Sequence, residues 1–150
     1  MVEIKNILFP VDFTDACSKV AGYARVLTEK FEAKLHVIFV VEDLSRFAGF
    51  YVPHVALENI EKELYQGAQK KMESFVEEYF SGLPTVETII AVGDVADKIC
   101  EVAKEKDIDL IVMGTHGRGG LEKALFGSVA EKVVKTAPCP VLTVNPFQKK

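Results

Sequence analysis

The chain has 150 residues, 49% of them hydrophobic and 27% charged, with a formal net charge of −4. That size suits one domain, 1–150, with a sizeable core. The acidic balance excludes a phosphate-tracking nucleic-acid surface as the main design, and no apolar run approaches the ~20 residues that cross a bilayer.

The start, "MVEIKNILFPVD", has an acidic residue at position 3 and only a short apolar stretch, so it does not read as a secretory leader, and a cytoplasmic location is expected. Within it, Ile4 to Pro10 forms a first strand that Pro10 ends. Val20, Ala24, Leu27 and Phe31 then share one helical face, predicting a helix over 15–31 capped by Thr14 or Asp15. "AKLHVIFVV" is a second strand, apolar on both faces as in a sheet covered on both sides. Residues 42–56 have no clean period and read as a loop. Leu57, Ile60, Leu64, Ala68, Met72, Phe75 and Tyr79 mark the inner face of a long helix ending near Ser81–Gly82.

"TVETIIAV" is a third strand. Asp94 caps a helix with Val95, Ile99 and Val102 on its inner face, and "DIDLIVMG" is a fourth strand. A last helix over 128–136 and a fifth strand, "PVLTVN", complete the order. Strict alternation with helix-length connections predicts an α/β fold: an open, parallel sheet with helices on both faces. Ligands of such sheets bind beyond the carboxyl ends of the strands, where strand order reverses. Cys17, Cys100 and Cys139 are odd in number, widely separated and without a CxxC, and read as buried reduced thiols.

Five of the ten glycines fall between Gly114 and Gly127, just beyond the fourth strand. Glycine reaches positive φ without steric cost and lets other groups approach the backbone, so such a run can gather N–H groups into an anion nest. Ser128 followed three residues later by Glu131 has the spacing of a capping box, which predicts a helix start whose free N–H groups suit a phosphate. From Gly114 to Lys135, four cations (Arg118, Lys123, Lys132, Lys135) face two anions (Glu122, Glu131), a local +2 in an acidic chain. The P-loop pattern GxxxxGK[ST] is absent, and "FPVDFTD" after the first strand lacks the GxGxxG of dinucleotide sites.

Gly114, Gly117 and Gly127-Ser128 fit G-x2-G-x9-G-[ST] without a gap. With "ILFPVDFTD" near the start and "APCPVLTV" near the end, the whole chain resembles the ATP-binding branch of the universal stress protein family. The resemblance implies strand order 3-2-1-4-5, a Rossmann-like sheet with ATP (or ADP or AMP) across the ends of strands one and four. Mg²⁺ is carried as a companion of the phosphates. By position, it implies Pro10, Val11 and Asp12 at the adenine and ribose end, the Val40 backbone against adenine, Met113 at the pocket wall and Gly114 near the ribose. Gly117, Gly127, Ser128 and Val129 would hold the phosphates.

Charge and hydrogen-bonding capacity refine the single residues. Asp12 would repel a triphosphate and suits ribose hydroxyls or an adenine N–H, while also being able to cap the following helix. Ser128 can accept from a helix N–H and donate to a phosphate together. Arg118 reads as a charge near the γ-phosphate or on the loop's solvent face. His116 lacks the carboxylate pair or nucleophile that would complete a hydrolytic constellation, and His36 and His54 have no metal-ligand spacing. No catalytic residue is therefore assigned. "PVLTV" lies at a sheet edge in the implied order, and an apolar edge favours pairing with a second copy. The resemblance likewise implies a homodimer through Val141, Leu142, Thr143 and Val144; the alternative is an edge shielded by the "NPFQKK" tail.

Three functions remain open on these grounds. The first is a nucleotide-binding module that acts in stress response or signalling through a protein partner. The second is a slow ATP hydrolase or phosphotransferase, and the third is a protein-interaction dimer with no nucleotide.

Overall fold

The computed structural model describes residues 1–44, 53–116 and 126–148. In chain order it forms β1 (Asn6–Pro10), α1 (Asp15–Phe31), β2 (Lys34–Glu42), α2 (His54–Phe80), β3 (Val86–Gly93), α3 (Val95–Glu105), β4 (Leu110–Gly114), α4 (Ser128–Thr136) and β5 (Val141–Val144). The five strands make one sheet of order β3-β2-β1-β4-β5, and every neighbouring pair is parallel. This is the expected order, and it reverses direction between β1 and β4.

The two-residue period of the strands divides the core into two layers. Ile7, Phe9, Leu35, Val37 and Val112 meet Val20 and Ala24 of α1 and Met72, Phe75 and Phe80 of α2. Leu8, Ile38, Val40, Ile111 and Met113 point the other way, onto Ile99 and Val102 of α3 and Ala130 and Val133 of α4. The middle residues of the central strands are mostly apolar because both of their faces are covered, with His36 a buried exception, whereas the edge strands β3 and β5 are mostly half-buried.

Several boundaries differ from expectation for physical reasons. The first strand starts at Asn6 and not Ile4, since the Lys5 and Asn6 amides donate to Asp109 Oδ2 at 2.8 and 2.9 Å. The fourth starts at Leu110, after Asp107 has turned the chain at φ 49°. The second helix begins at His54, so residues 54–56, expected in a loop, are helical. Ile60 and Leu64, expected on the core face, are 42% and 48% exposed. At ~1.5 Å per residue the 27-residue α2 is about 40 Å long, against about 30 Å for the 9-residue β2. Its first turns therefore overshoot the sheet. Cys17 is buried as expected, but Cys100 and Cys139 are only half-buried; all three are free thiols.

At the opposite end of the sheet from the strand carboxyl ends, Glu87 of β3 bridges Lys106 at 2.6 Å and Lys34 at 3.1 Å. The hydrogen bond from Lys106, helped by Lys34, holds its carboxyl down to about 2, against the pull of partial burial. His36 is buried beside it. Its Nε2 lies 3.0 Å from Asn6 Oδ1, and its Nδ1 lies 3.1 Å from Glu87 Oε2 without the alignment of a hydrogen bond, so that contact is electrostatic. Burial pushes His36 below its ordinary range, and the Glu87 charge opposes the shift.

Both groups are depressed on folding, so the folded state binds fewer protons and stability is lost as the pH is lowered. The His36 contribution fades below its ordinary 6.5, and that of Glu87 fades between 4.5 and about 2. Glu87→Gln is expected to flatten the acid limb of a melting-temperature profile below pH 4.5. With these side chains partly exposed, it costs on the order of 1 kcal/mol at pH 7. An unaltered acid limb would show that the two lysines contribute nothing.

Candidate functional site

The reversal of strand order opens a cavity of about 770 Å³ over the carboxyl ends of β1, β2 and β4, within the range of small-ligand sites. Nine residues anticipated from the sequence line it: Pro10, Val11, Asp12, Val40, Met113, Gly114, Gly127, Ser128 and Val129. Gly117 and Arg118, the other two, lie outside the described residues. An adjoining depression of about 410 Å³ shares Ser128 and Val129 but is walled by Glu42, Asp43 and Asp94. Its one lysine, Lys132, is drawn to Asp97 at 2.8 Å and Asp94 at 3.4 Å. Carboxylates border both spaces, with Asp12, Glu42 and Glu63 lining the larger one, so the gathering of the nine residues, and not wall charge, makes the larger cavity the candidate site.

Each wall follows from local chemistry. Pro10 ends β1, and the Val11 amide donates to Ile38 C=O at 2.8 Å, which carries the chain over the sheet's rim. Asp12 Oδ1 then accepts from the Thr14 amide at 3.0 Å and from its hydroxyl at 2.6 Å. Thr14 is the residue that caps α1, accepting from the Cys17 amide at 3.3 Å. Asp12 thus orients the cap without being the cap. Burial pushes the Cys17 thiol up to about 12, which leaves it an inert apolar lining group.

At the end of β4, a Cβ on Gly114 would sit 3.1 Å from His116 C=O and 3.3 Å from Val20 Cγ2. Here glycine is needed for close approach. Thr115 follows as a junction that sequence patterns did not reveal. Its amide donates to Val144 C=O at 2.9 Å, its carbonyl accepts from the Gly127 amide at 2.6 Å, and its hydroxyl lies 2.7 Å from His116 Nδ1. His116 is buried, with Phe147 edge-on to its ring at a centroid distance of 5.2 Å. That packing accounts for the histidine as part of the wall.

The start of α4 corrects the expected capping box. Gly127 is the cap, at φ −71° and ψ 165°, and Ser128 is already helical. A box needs Ser at the cap and Glu at the third helical position, but Glu131 is fourth and its carboxylate holds Lys135 at 2.9 Å. The tertiary bond from Gly127 N–H to Thr115 explains the shift, since it holds the extended residue one place earlier. It also means that the Gly127 amide is engaged internally. The first bond within the helix runs from Glu131 N–H to Gly127 C=O, so the helix supplies no acceptor for the amides of Ser128, Val129 and Ala130. All three residues line the cavity, at the positive end of the helix.

A parallel sheet of this order with helices on both faces is shared with proteins already described. The model of the universal stress protein family matches residues 3–145. The chain belongs to this family. The universal stress protein MJ0531 of Methanocaldococcus jannaschii is 40% identical over 147 residues, which cover 97% of this chain and 84% of that protein. The solved structure of MJ0577 from the same organism, reported as a structure-based assignment of a hypothetical protein's biochemical function, superposes with a TM-score of 0.84. It is 27% identical, and the match covers 99% of each chain. A universal stress protein of Archaeoglobus fulgidus solved in complex with dAMP shares the fold at a TM-score of 0.59 and 22% identity, over 97% of this chain and 100% of that one.

This universal stress protein thus has the family's sheet order, while the boundary of its last helix and the engagement of the Gly127 amide are features that the motif alone did not convey. Residues of the cavity wall missed in the sequence include Phe13, Phe39, Gly67 and Thr115. None carries a local signal, because each reaches the cavity through tertiary packing.

Proposed function

We propose that the chain, as one domain over 1–150, is a cytoplasmic adenine-nucleotide-binding module that works through a protein partner. In this reading ATP lies across the ends of β1 and β4, with Mg²⁺ accompanying its phosphates. Pro10, Val11, Asp12, Val40, Met113 and Gly114 serve the base and ribose. The phosphates rest on the backbone of Gly117, Ser128 and Val129 with Arg118 nearby, and Gly127 acts as the bare, side-chain-free cap that lets them approach. The protein is a homodimer through β5.

The observation that carries this reading is the first turn of α4, whose three leading amides have no acceptor within the helix and whose residues line the cavity at the switch point. An anion supplies what those donors lack. The dAMP complex of the Archaeoglobus fulgidus relative is in keeping with an adenine ligand for the fold. Among the described residues, no helix is long and apolar enough to cross a membrane, and no group of three or more His, Cys, Asp or Glu gathers around a potential metal site. The hydrolase reading gains no support from His116, whose ring is packed on Phe147.

The test is direct. Protein freed of nucleotide by denaturation and refolding is titrated calorimetrically with ATP, ADP and AMP. One nucleotide per chain is expected, and the supernatant of the denatured native protein is expected to contain an adenine nucleotide on chromatography. Absence of heat with all three ligands would remove the proposal.

A further inference from the structure

The lining residues of the cavity fall on both faces of the sheet, which divides it into two regions, or lobes. Val40, Met113 and Ala130 belong to the core layer under α3 and α4, and that lobe takes the nucleotide in the reading above. The other lobe is bordered by Phe13 and Phe39, which pack on the opposite core layer, and by Leu64, Gly67, Ala68 and Lys71 of α2. None of these six residues has a part in the nucleotide reading.

Three observations single this lobe out. Phe13 holds φ 62°, a backbone conformation that a bulky side chain adopts only under constraint. That conformation brings its ring to 4.8 Å from Phe39, tilted by 35°, so two aromatic faces line one wall. Second, Gly67 sits in the middle of a 27-residue helix, where glycine is unfavourable. No contact among the described residues requires it, because an added Cβ would meet none of their atoms within 4 Å. Gly22 in α1 is equally unhindered, but it is not part of the cavity wall. Leu64, Gly67, Ala68 and Lys71 are spaced three, one and three residues apart and share one helix face, so the bare patch of backbone lies between an apolar side chain and a cation. Third, Leu64 is 48% exposed although it borders the lobe, so apolar surface stands open there.

We propose that this lobe is a second subsite, which takes a flat apolar group ending in a negative charge. The flat body lies between the Phe13–Phe39 pair and the bare backbone at Gly67, covering Leu64, and the anionic end meets Lys71. Glu63 also borders the cavity, two helical turns back from Lys71, and sets the polarity of the site so that the negative end points to the lysine. The subsite stands independently of the nucleotide reading, since it shares no residue with it.

The probe is anilinonaphthalene sulfonate, an aromatic body with one anionic end, titrated by fluorescence into the folded, nucleotide-free protein with and without saturating ATP. Binding of one dye per chain is expected, and it persists with ATP present. Gly67→Leu fills the lobe and is expected to weaken the dye at least tenfold while ATP affinity holds. Because the added side chain meets open space, its melting temperature is expected to equal or exceed that of the native protein. Leu64→Glu, on an exposed position, places a repelling charge in the lobe and should weaken the dye likewise. Dye affinity unchanged in both variants, or complete displacement of the dye by ATP, overturns the second subsite. If ATP fails to bind but the dye is lost in both variants, the nucleotide reading falls and the subsite stands.

Discussion

Ser128→Pro is expected to leave α4 folded and to lower ATP affinity about a hundredfold, or about 2.7 kcal/mol. Ser128 is the first helical residue, the position where proline is most readily accepted because its missing N–H has no helical partner. The residue before a proline must be extended, and Gly127 already is, at φ −71° and ψ 165°. The substitution therefore deletes one amide donor and one hydroxyl from the cavity without disturbing the Thr115–Gly127 bond that fixes the helix start. A hydrogen bond to a charged group contributes about 1.5–3 kcal/mol, so the loss of one to two such bonds accounts for the effect. Ser128→Ala keeps the amide and is expected to cost about tenfold, within the range for one hydrogen bond. Calorimetric titration gives the affinities, and an unchanged melting temperature shows that the helix survives. Native affinity in the proline variant would mean that the phosphates are held elsewhere.

The contrast between Gly127 and Ser128 also shows how far the sequence reaches. The extent of helix α1 was legible because its apolar spacing and a cap at Thr14 or Asp15 are local. The structure places it at Asp15–Phe31 with Thr14 as the cap, although Phe31, expected on the apolar face, is 45% exposed. Alternation of strands and helices gave a parallel sheet, and the glycine motif gave its order through the family resemblance. The cap of α4 was not legible. The S-x-x-E spacing spells a capping box at Ser128, but a bond from Gly127 to Thr115, twelve residues away in the chain, moved the cap by one. Likewise, the period of α2 put Ile60 and Leu64 on the core face, yet a helical period says nothing about where the sheet beneath it ends. Nine site residues gathered around one cavity because they sit at strand ends or at a helix start, which the pattern of elements locates. Phe13 and Phe39 escaped notice because aromatic residues in and beside strands read as core until their exposure to a cavity is seen.

Thr143→Pro is expected to convert the proposed β5 homodimer to monomers, weakening association about a hundredfold. The direction of the strand's hydrogen bonds makes this substitution selective. Ile111 N–H donates to Pro140 C=O at 3.0 Å and Thr115 N–H to Val144 C=O at 2.9 Å, so residues 140, 142 and 144 turn their backbone groups toward β4. Val141 and Thr143 turn theirs outward, along an edge that the described part of the tail does not follow. That tail instead curls at Asn145, with the Phe147 amide on Asn145 Oδ1 at 2.9 Å and the Phe147 ring on His116. Proline at position 143 removes an outward N–H and leaves the ladder to β4 intact, a placement that edge strands tolerate. In a two-fold interface every loss occurs twice. Two hydrogen bonds at about 0.5–1.5 kcal/mol each, together with the proline ring standing where the partner strand would approach, make up the expected effect. Thr143→Ala keeps the amide and is expected to remain dimeric. Sedimentation velocity over a dilution series decides the matter: a proline variant as dimeric as the native protein would move the interface away from β5, and monomers in both would leave that edge without a role in assembly.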